Sequence, residues 1–142
     1  MSLTHIAIAT VSVSDQDKAL DFYVNKLGFE VRADSPMGEG QRWLEVGLPD
    51  AQTRLVLAQG YGSSDENPVG KFTGLVLDAD DIQATYETLR ERGVPFSEPP
   101  TPQPWGMVQA IFQDQDGNTL VLVGGRADAE QGGVEQATVS PA

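Results

Sequence analysis

Asp114-Gln115-Asp116-Gly117-Asn118 runs directly into Thr119-Leu120-Val121-Leu122-Val123. Asp and Asn side chains bond nearby backbone, and Gly accepts a positive φ. An apolar run after such a cluster is a strand, so the stretch predicts a turn leading into a final strand at 119–123.

Working outward, strands are predicted at 107–113 and 94–98, with the Pro-rich segment 99–104 as a loop among them. Asp80-Asp81 opens a helix whose Ile82, Tyr86 and Leu89 form one face until Gly93 ends it, and Phe72 to Leu77 precedes it as an apolar strand. Residues 60–70 have linker composition. Before them the same order occurs once already. A β-rich stretch at 3–13 places Ala7, Ala9, Val11 and Val13 on one side and Ile6, Ile8, Thr10, Ser12 and Ser14 on the other. Ser14 and Asp17 read as a capping-box start to a helix over 15–26, stopped by Gly28. Strands follow at 29–34, 41–47 and 53–59, separated by the turn-rich Ser35-Pro36-Met37-Gly38 and Pro49-Asp50.

Both halves therefore read β-α-β-β-β, and Asp15 precedes Gly28 by the same 13 positions as Asp80 precedes Gly93. One supersecondary unit per half implies two copies that complete each other's core. The expected architecture is α+β: two βαβββ modules whose curved mixed sheets, each with a helix behind it, form a cup. Residues 1–123 make one domain, with module 1 at about 3–59 and module 2 at about 71–123. Residues 124–142 lack periodicity and read as a flexible tail.

Composition narrows the function. A 142-residue chain with 39% apolar and 7% aromatic residues is about one globular domain. No apolar run reaches the roughly 20 residues that cross a bilayer, and the N-terminus lacks signal-peptide regions, so the expected location is cytoplasmic. Nine Lys plus Arg against 21 Asp plus Glu give a formal charge of −12, which disfavours nucleic acid and anionic membranes and favours cations, although solubility alone explains it. With no Cys there is no thiol nucleophile, thiolate metal site or disulfide, and a single His, His5, leaves one imidazole. No phosphate loop, Ser-His-Asp order or G-x-S-x-G elbow is present.

In this order on a duplicated pattern, a set of individually weak motifs resembles the vicinal oxygen chelate superfamily, which holds glyoxalase I, extradiol dioxygenases, fosfomycin-resistance enzymes and bleomycin-resistance binding proteins. The carriers are Val13-Ser14-Asp15, Phe22-Tyr23 and Leu27-Gly28-Phe29, then Asp81-Ile82, Arg92-Gly93-Val94, Pro104-Trp105-Gly106 and the 114–118 turn. They span roughly residues 4–123. Gln115 stands where the family usually has Pro. The resemblance implies one divalent metal in the cup of the family's enzymes, held from positions that here are Ile8, Val56, Gly74 and Val121. None has a donor atom for a metal, and their neighbours Ala7, Ala9, Leu55, Leu57, Thr73, Leu75, Leu120 and Leu122 supply no imidazole or carboxylate. His5, three residues before Ile8, falls on the opposite strand face and reads as a strand-end residue with a local hydrogen bond. The expected site has no metal, no cofactor and no catalytic residue.

A ligand site remains. Strand alternation puts Glu45 with Trp43, and Asp78 with Gly74, on faces that line the cup or form a solvated rim; the pair could also build a hard-cation site or serve as acid and base. Trp105 and Trp43 read equally as lining or core, whereas Phe72 and Met107 read as core and Tyr61 as lining. Thr10, Ser12, Arg54 and Gln109 offer directed polar contacts among apolar walls. With Ile8, Val56, Gly74 and Val121 they complete the candidate set. The expected function is metal-independent binding of a small organic molecule, cationic or aromatic, in the manner of bleomycin-resistance proteins and hence of antibiotic resistance. The alternatives are a lyase, isomerase or dioxygenase with a relocated metal, and a non-catalytic structural or regulatory domain. The resemblance also implies a homodimer, with 60–70 as a natural place for module exchange.

Overall fold

Asp15 fixes where the first helix begins. Its carboxylate accepts from the amides of Asp17 (2.9 Å) and Lys18 (3.1 Å) and so caps α1, Gln16–Leu20. The helix continues without a break as a π-helical segment, Asp21–Lys26, and Gly28 closes it at φ +91°. Ser14, read from sequence as the cap, has another task. Its amide and hydroxyl both donate to Asp116.

In the computed structural model, which describes residues 1–126, the chain divides into two units. The first comprises residues 1–73 together with 114–118. Its sheet has the order β1-β4-β3-β2, built from β1 Ile8–Ser12, β2 Glu30–Gly38, β3 Gln41–Gly47 and β4 Arg54–Ala58. β1 runs parallel to β4 and the other neighbours are antiparallel, so the sheet is mixed. Val11 and Val13 are buried with Leu44, Val46, Leu55 and Leu57, as are Ala19, Phe22 and Tyr23 of the helix. Tyr23 meets Phe22 and Phe29 edge-on, with ring centroids 5.3 and 5.7 Å away.

The second unit comprises residues 74–113 and, among the described residues, 119–126. Its sheet has the order β5-β8-β7-β6, from β5 Phe72–Asp78, β6 Phe96–Pro102, β7 Met107–Gln113 and β8 Thr119–Arg126. Helix α2, Ile82–Glu91, is capped by Asp81, whose carboxylate accepts from the Ala84 amide at 3.0 Å, and packs on β6 and β8. Ile82, Leu89, Val94, Ala110, Phe112, Leu120 and Leu122 are its core. Two four-stranded sheets with few helices make this an α+β fold of the kind expected.

Four boundaries differ from the sequence reading, each for a physical reason. β1 begins at Ile8 rather than residue 3, because β4 offers partners only from Arg54, whose amide reaches back to the Ala7 carbonyl. Ser35-Pro36-Met37-Gly38 lies in β2, and Pro99, Pro100 and Pro102 lie in β6. Both are edge strands, where a proline's missing N–H removes no ladder bond. The turn after β2 falls instead at Glu39 and Gly40, both at positive φ like Gly38 at the end of the strand. Finally, Gly124 is no start of a tail: it lies in β8, where an added Cβ would stand 2.5 Å from that of Ile82. The remaining tail, 127–142, lies outside the described residues.

Residues 60–73, read as linker and strand start, belong with the first unit. The motif turn anchors them. Asn118 donates to the Ser12 carbonyl (2.9 Å) and accepts from the amides of Gly70 (2.7 Å) and Lys71 (3.2 Å). Within the turn the Gln115 amide donates to Asp116 at 2.8 Å, so the departure from Pro stays local.

Burial pushes the Asp116 carboxyl up, but the bonds from Ser14 and Gln115 and the charge of Lys18 outweigh it and hold the group below its ordinary value. A depressed carboxyl adds stability above its unfolded pKa of about 3.9, and that stability is lost as pH falls through the folded value. Ser14→Ala is expected to cost about 1 kcal/mol near neutrality, the net worth of one partly solvated charged bond. Urea melts should show the gap from wild type narrowing once the solution is acid enough to protonate Asp116, and a gap independent of pH would contradict this assignment.

Candidate functional site

Six of the candidate residues are brought together on one face of the first sheet. Thr10 pairs with Val56, Ser12 with Ala58 and Ile8 with Arg54 across the parallel ladder, and Val56 pairs in turn with Glu45. Directly paired residues share a face, so Thr10, Ser12, Arg54, Val56, Glu45 and, two residues from it, Trp43 lie on the side away from Val11 and Leu57. Ile8 lies on the same side at the sheet edge, 39% exposed.

The centre of this face is a braced aromatic pair. The indole N–H of Trp43 donates to Glu45 Oε2 at 2.7 Å, and Arg54 Nη1 stands 3.3 Å from Glu45 Oε1. Glu45 is only 8% exposed, so both partners offset the cost of burying its charge. Tyr61 stacks on Trp43 with centroids 6.1 Å apart and planes 21° apart. The Tyr61 hydroxyl donates to the Arg42 carbonyl at 2.7 Å, and burial raises its pKa, which keeps that proton in place. Glu45 is thus neither a rim residue nor a free acid. Arg54 Nε is buried without a hydrogen-bond partner.

Beside this pair a cleft of about 220 Å³ opens on Thr10 and Ser12. Its other side is the 62–73 segment, with Ser63, Asp65, Lys71 and Phe72, and Asn118 at its base. Gly62 lets this segment approach: a Cβ there would come within 3.2 Å of Thr10 and 3.3 Å of Ala58. The sequence reading treated 60–70 as a linker and so missed Ser63 and Asp65; it took Asn118 only as turn chemistry and did not single out Lys71. The signal was the glycine on each side of Tyr61 together with the Asn that ends the motif.

The candidates on the second sheet are more dispersed. Gln109 and Val121 share a face, since Val121 pairs with Ile111, and Gly74 and Asp78 share a face of β5. Gln109 reaches Glu98 only at 3.5 Å. Trp105 sits in the turn between β6 and β7, 61% exposed, which settles against a core role. Phe72 is 65% exposed, which overturns the reading of it as core, and Met107 is half-buried.

The positions that would hold the family's metal carry the side chains of Ile8, Val56 and Val121 and the hydrogen of Gly74. That donor set does not fit a metal ion. Among the described residues no three of His, Cys, Asp and Glu gather closely enough to hold one. His5 is exposed ahead of β1, its Nδ1 3.0 Å from the Thr4 hydroxyl, which bears out a local bond but puts it outside the strand.

Comparison with known proteins adds to this geometry. A member of the glyoxalase/bleomycin resistance protein/dioxygenase superfamily from Sphaerobacter thermophilus has a crystal structure that superposes with a TM-score of 0.79 at 43% identity, covering 86% of this chain and 98% of that one. TnmS3, an antibiotic binding protein from Streptomyces sp. CB03234, matches with a TM-score of 0.75 at 41% identity, over 88% of this chain and 98% of that one. YetH of Bacillus subtilis, an uncharacterized protein, is 39% identical over 124 residues, 84% of this chain and 98% of its own length. A family model matches residues 2–122. The chain belongs to the Glyoxalase/Bleomycin resistance protein/Dioxygenase superfamily.

Proposed function

We propose that this chain binds a small aromatic organic molecule, of antibiotic type, without a metal. The observation that carries the reading is the Trp43–Tyr61 stack, on a face where the Glu45 carboxylate is already engaged by the Trp43 indole and by Arg54. Indole and phenol rings fixed by their own polar ends offer a broad apolar surface with little further loss of side-chain freedom on binding. The likeness to an antibiotic binding protein at 41% identity supports the same class of ligand. Because Glu45 is already paired with Arg54, the emphasis moves from a cationic ligand to a planar aromatic one. The ligand contacts in this reading are Thr10, Ser12, Trp43, Glu45 and Arg54 on the first sheet, acting in a cytoplasmic homodimer.

Thermal unfolding with a panel of planar aromatic antibiotics and of cationic aromatics tests the proposal. A true ligand at 100 times its dissociation constant adds about 2.7 kcal/mol. A panel that leaves the melting temperature unchanged counts against binding and favours a structural or regulatory domain. Elemental analysis of protein purified without chelators addresses the enzyme reading, and stoichiometric Fe, Mn, Ni or Zn would replace this proposal with a relocated metal site. Light scattering on a sizing column tests the dimer.

A further inference from the structure

From the cleft beside the aromatic pair we infer that the ligand carries a neutral, hydroxyl-rich substituent of sugar or polyol type. The inference rests on the aromatic-ligand reading above and adds to it the chemistry of a second contact. All the residues that line the cleft belong to the first unit.

Size, charge and lining point the same way. At about 220 Å³ the cleft is smaller than the roughly 300–1,000 Å³ of sites that take a whole drug-sized ligand, so it fits one substituent. It joins the aromatic pair through Thr10, which shares a face with Glu45 by way of Val56, and through Gly62, which follows Tyr61 in the chain. Its two charged residues, Lys71 and Asp65, are of opposite sign with Nζ 4.0 Å from Oδ2, so the lining carries no net charge that would select for an ion. What remains is the chemistry that recognises a polyol. Thr10, Ser12 and Ser63 supply hydroxyls that both donate and accept, Asp65 accepts, Lys71 donates, and the exposed Phe72 ring offers an apolar face for C–H groups.

The walls are fixed before any ligand arrives. The Asp65 amide donates to Ser63 Oγ at 3.0 Å, and Asp65 Oδ1 accepts from the Asn67 amide at 3.0 Å. Asn118 Oδ1 holds the amides of Gly70 and Lys71, while its amide nitrogen holds the Ser12 carbonyl on the opposite wall. One side chain of the 114–118 motif thus sets the width of the cleft and places Lys71. Preorganisation of this kind lowers the ordering cost of binding.

Heteronuclear NMR on the nitrogen-15-labelled chain tests the assignment with four probes: methylumbelliferone, its β-glucoside, its phosphate ester, and methyl glucoside. The indole N–H of Trp43 reports the aromatic pair, and the amides of Gly62, Ser63, Gly70 and Lys71 report the cleft. The umbelliferyl glucoside is expected to move both sets and to bind about tenfold more tightly than its aglycone, the worth of one or two added neutral hydrogen bonds. The aglycone should move Trp43 alone, and Thr10→Val with Ser63→Ala should erase the tenfold gain. Equal affinity for glucoside and aglycone with the cleft amides unmoved overturns this inference and leaves the aromatic reading standing. Tighter binding of the phosphate ester than of the glucoside overturns it in favour of an anion site. Movement of the cleft amides by both glucosides with Trp43 silent supports the cleft assignment and removes the aromatic reading. No response to any probe overturns both.

Discussion

Asp114→Ala is expected to cost about 4 kcal/mol of folding stability, read from urea unfolding of the full chain. The carboxylate is 4% exposed and accepts four hydrogen bonds, from the Tyr23 hydroxyl at 2.8 Å and from the Asp116 amide, the Asn118 amide and Asn118 Nδ2 at 2.9 Å each. Truncation leaves the Tyr23 hydroxyl and the Asn118 amide buried without this acceptor, while Asn118 Nδ2 keeps its bond to the Ser12 carbonyl and the Asp116 amide is only part-buried. Each stranded donor costs about 1–3 kcal/mol, and water entering the space recovers part of it. Against a total of about 5–15 kcal/mol for a domain, the loss is large. Tyr23→Phe removes one donor and should cost about 1 kcal/mol, and the two changes should be strongly non-additive because they share a bond. An Asp114→Ala protein within about 1 kcal/mol of wild type would show that the turn is not held this way.

The same bond sets an alkaline limit. Burial first, and then the nearby Asp114 charge and hydrogen bond, raise the Tyr23 pKa above its ordinary value. A raised group contributes stability that is complete below its unfolded pKa of about 10 and lost as pH rises toward the folded one. Stability should therefore fall above about pH 10, and Tyr23→Phe should flatten that fall.

Much of the fold was legible because its signals are local. Asp81 and Gly93 bound α2 where capping chemistry says they should, and β3 and β7 fall on the predicted 41–47 and 107–113. The misses arose where the decisive fact is a neighbour distant in sequence. Pro36 and Pro99 look like breakers until their strands prove to lie at sheet edges. Ser14 looks like a cap until Asp116, 102 residues away, takes its hydroxyl. For the site, strand period correctly put Trp43 and Glu45 on one face, since that depends only on alternation. It could not say that Arg54 lies across the sheet and engages the carboxylate, nor that residues 62–71 fold back beside β1. Those contacts depend on register and on one buried Asn.

Trp43→Ala should weaken binding of a planar aromatic ligand about 30-fold or more, measured by titration calorimetry, while stability changes by only about 1–2 kcal/mol. A tryptophan that anchors a desolvated contact is typically worth at least about 2 kcal/mol on truncation, which is about 30-fold in affinity. Stability suffers less, because Trp43 is only half-buried and its loss leaves an open surface rather than a closed cavity. Glu45→Gln separates brace from charge. The amide oxygen can still accept from the indole N–H, so affinity for a neutral aromatic should stay within a few-fold of wild type. Glu45→Leu removes the acceptor, frees the indole to rotate and strands the Arg54 guanidinium, and it should lose both affinity and stability. Trp105→Phe leaves Trp43 as the single indole of a chain that has two, so its emission alone reports whether ligand reaches the stack with Tyr61. A Trp43→Ala protein that binds as tightly as wild type would place the ligand elsewhere on the chain. Ligand binding that leaves the Trp43 emission of Trp105→Phe unquenched would do the same.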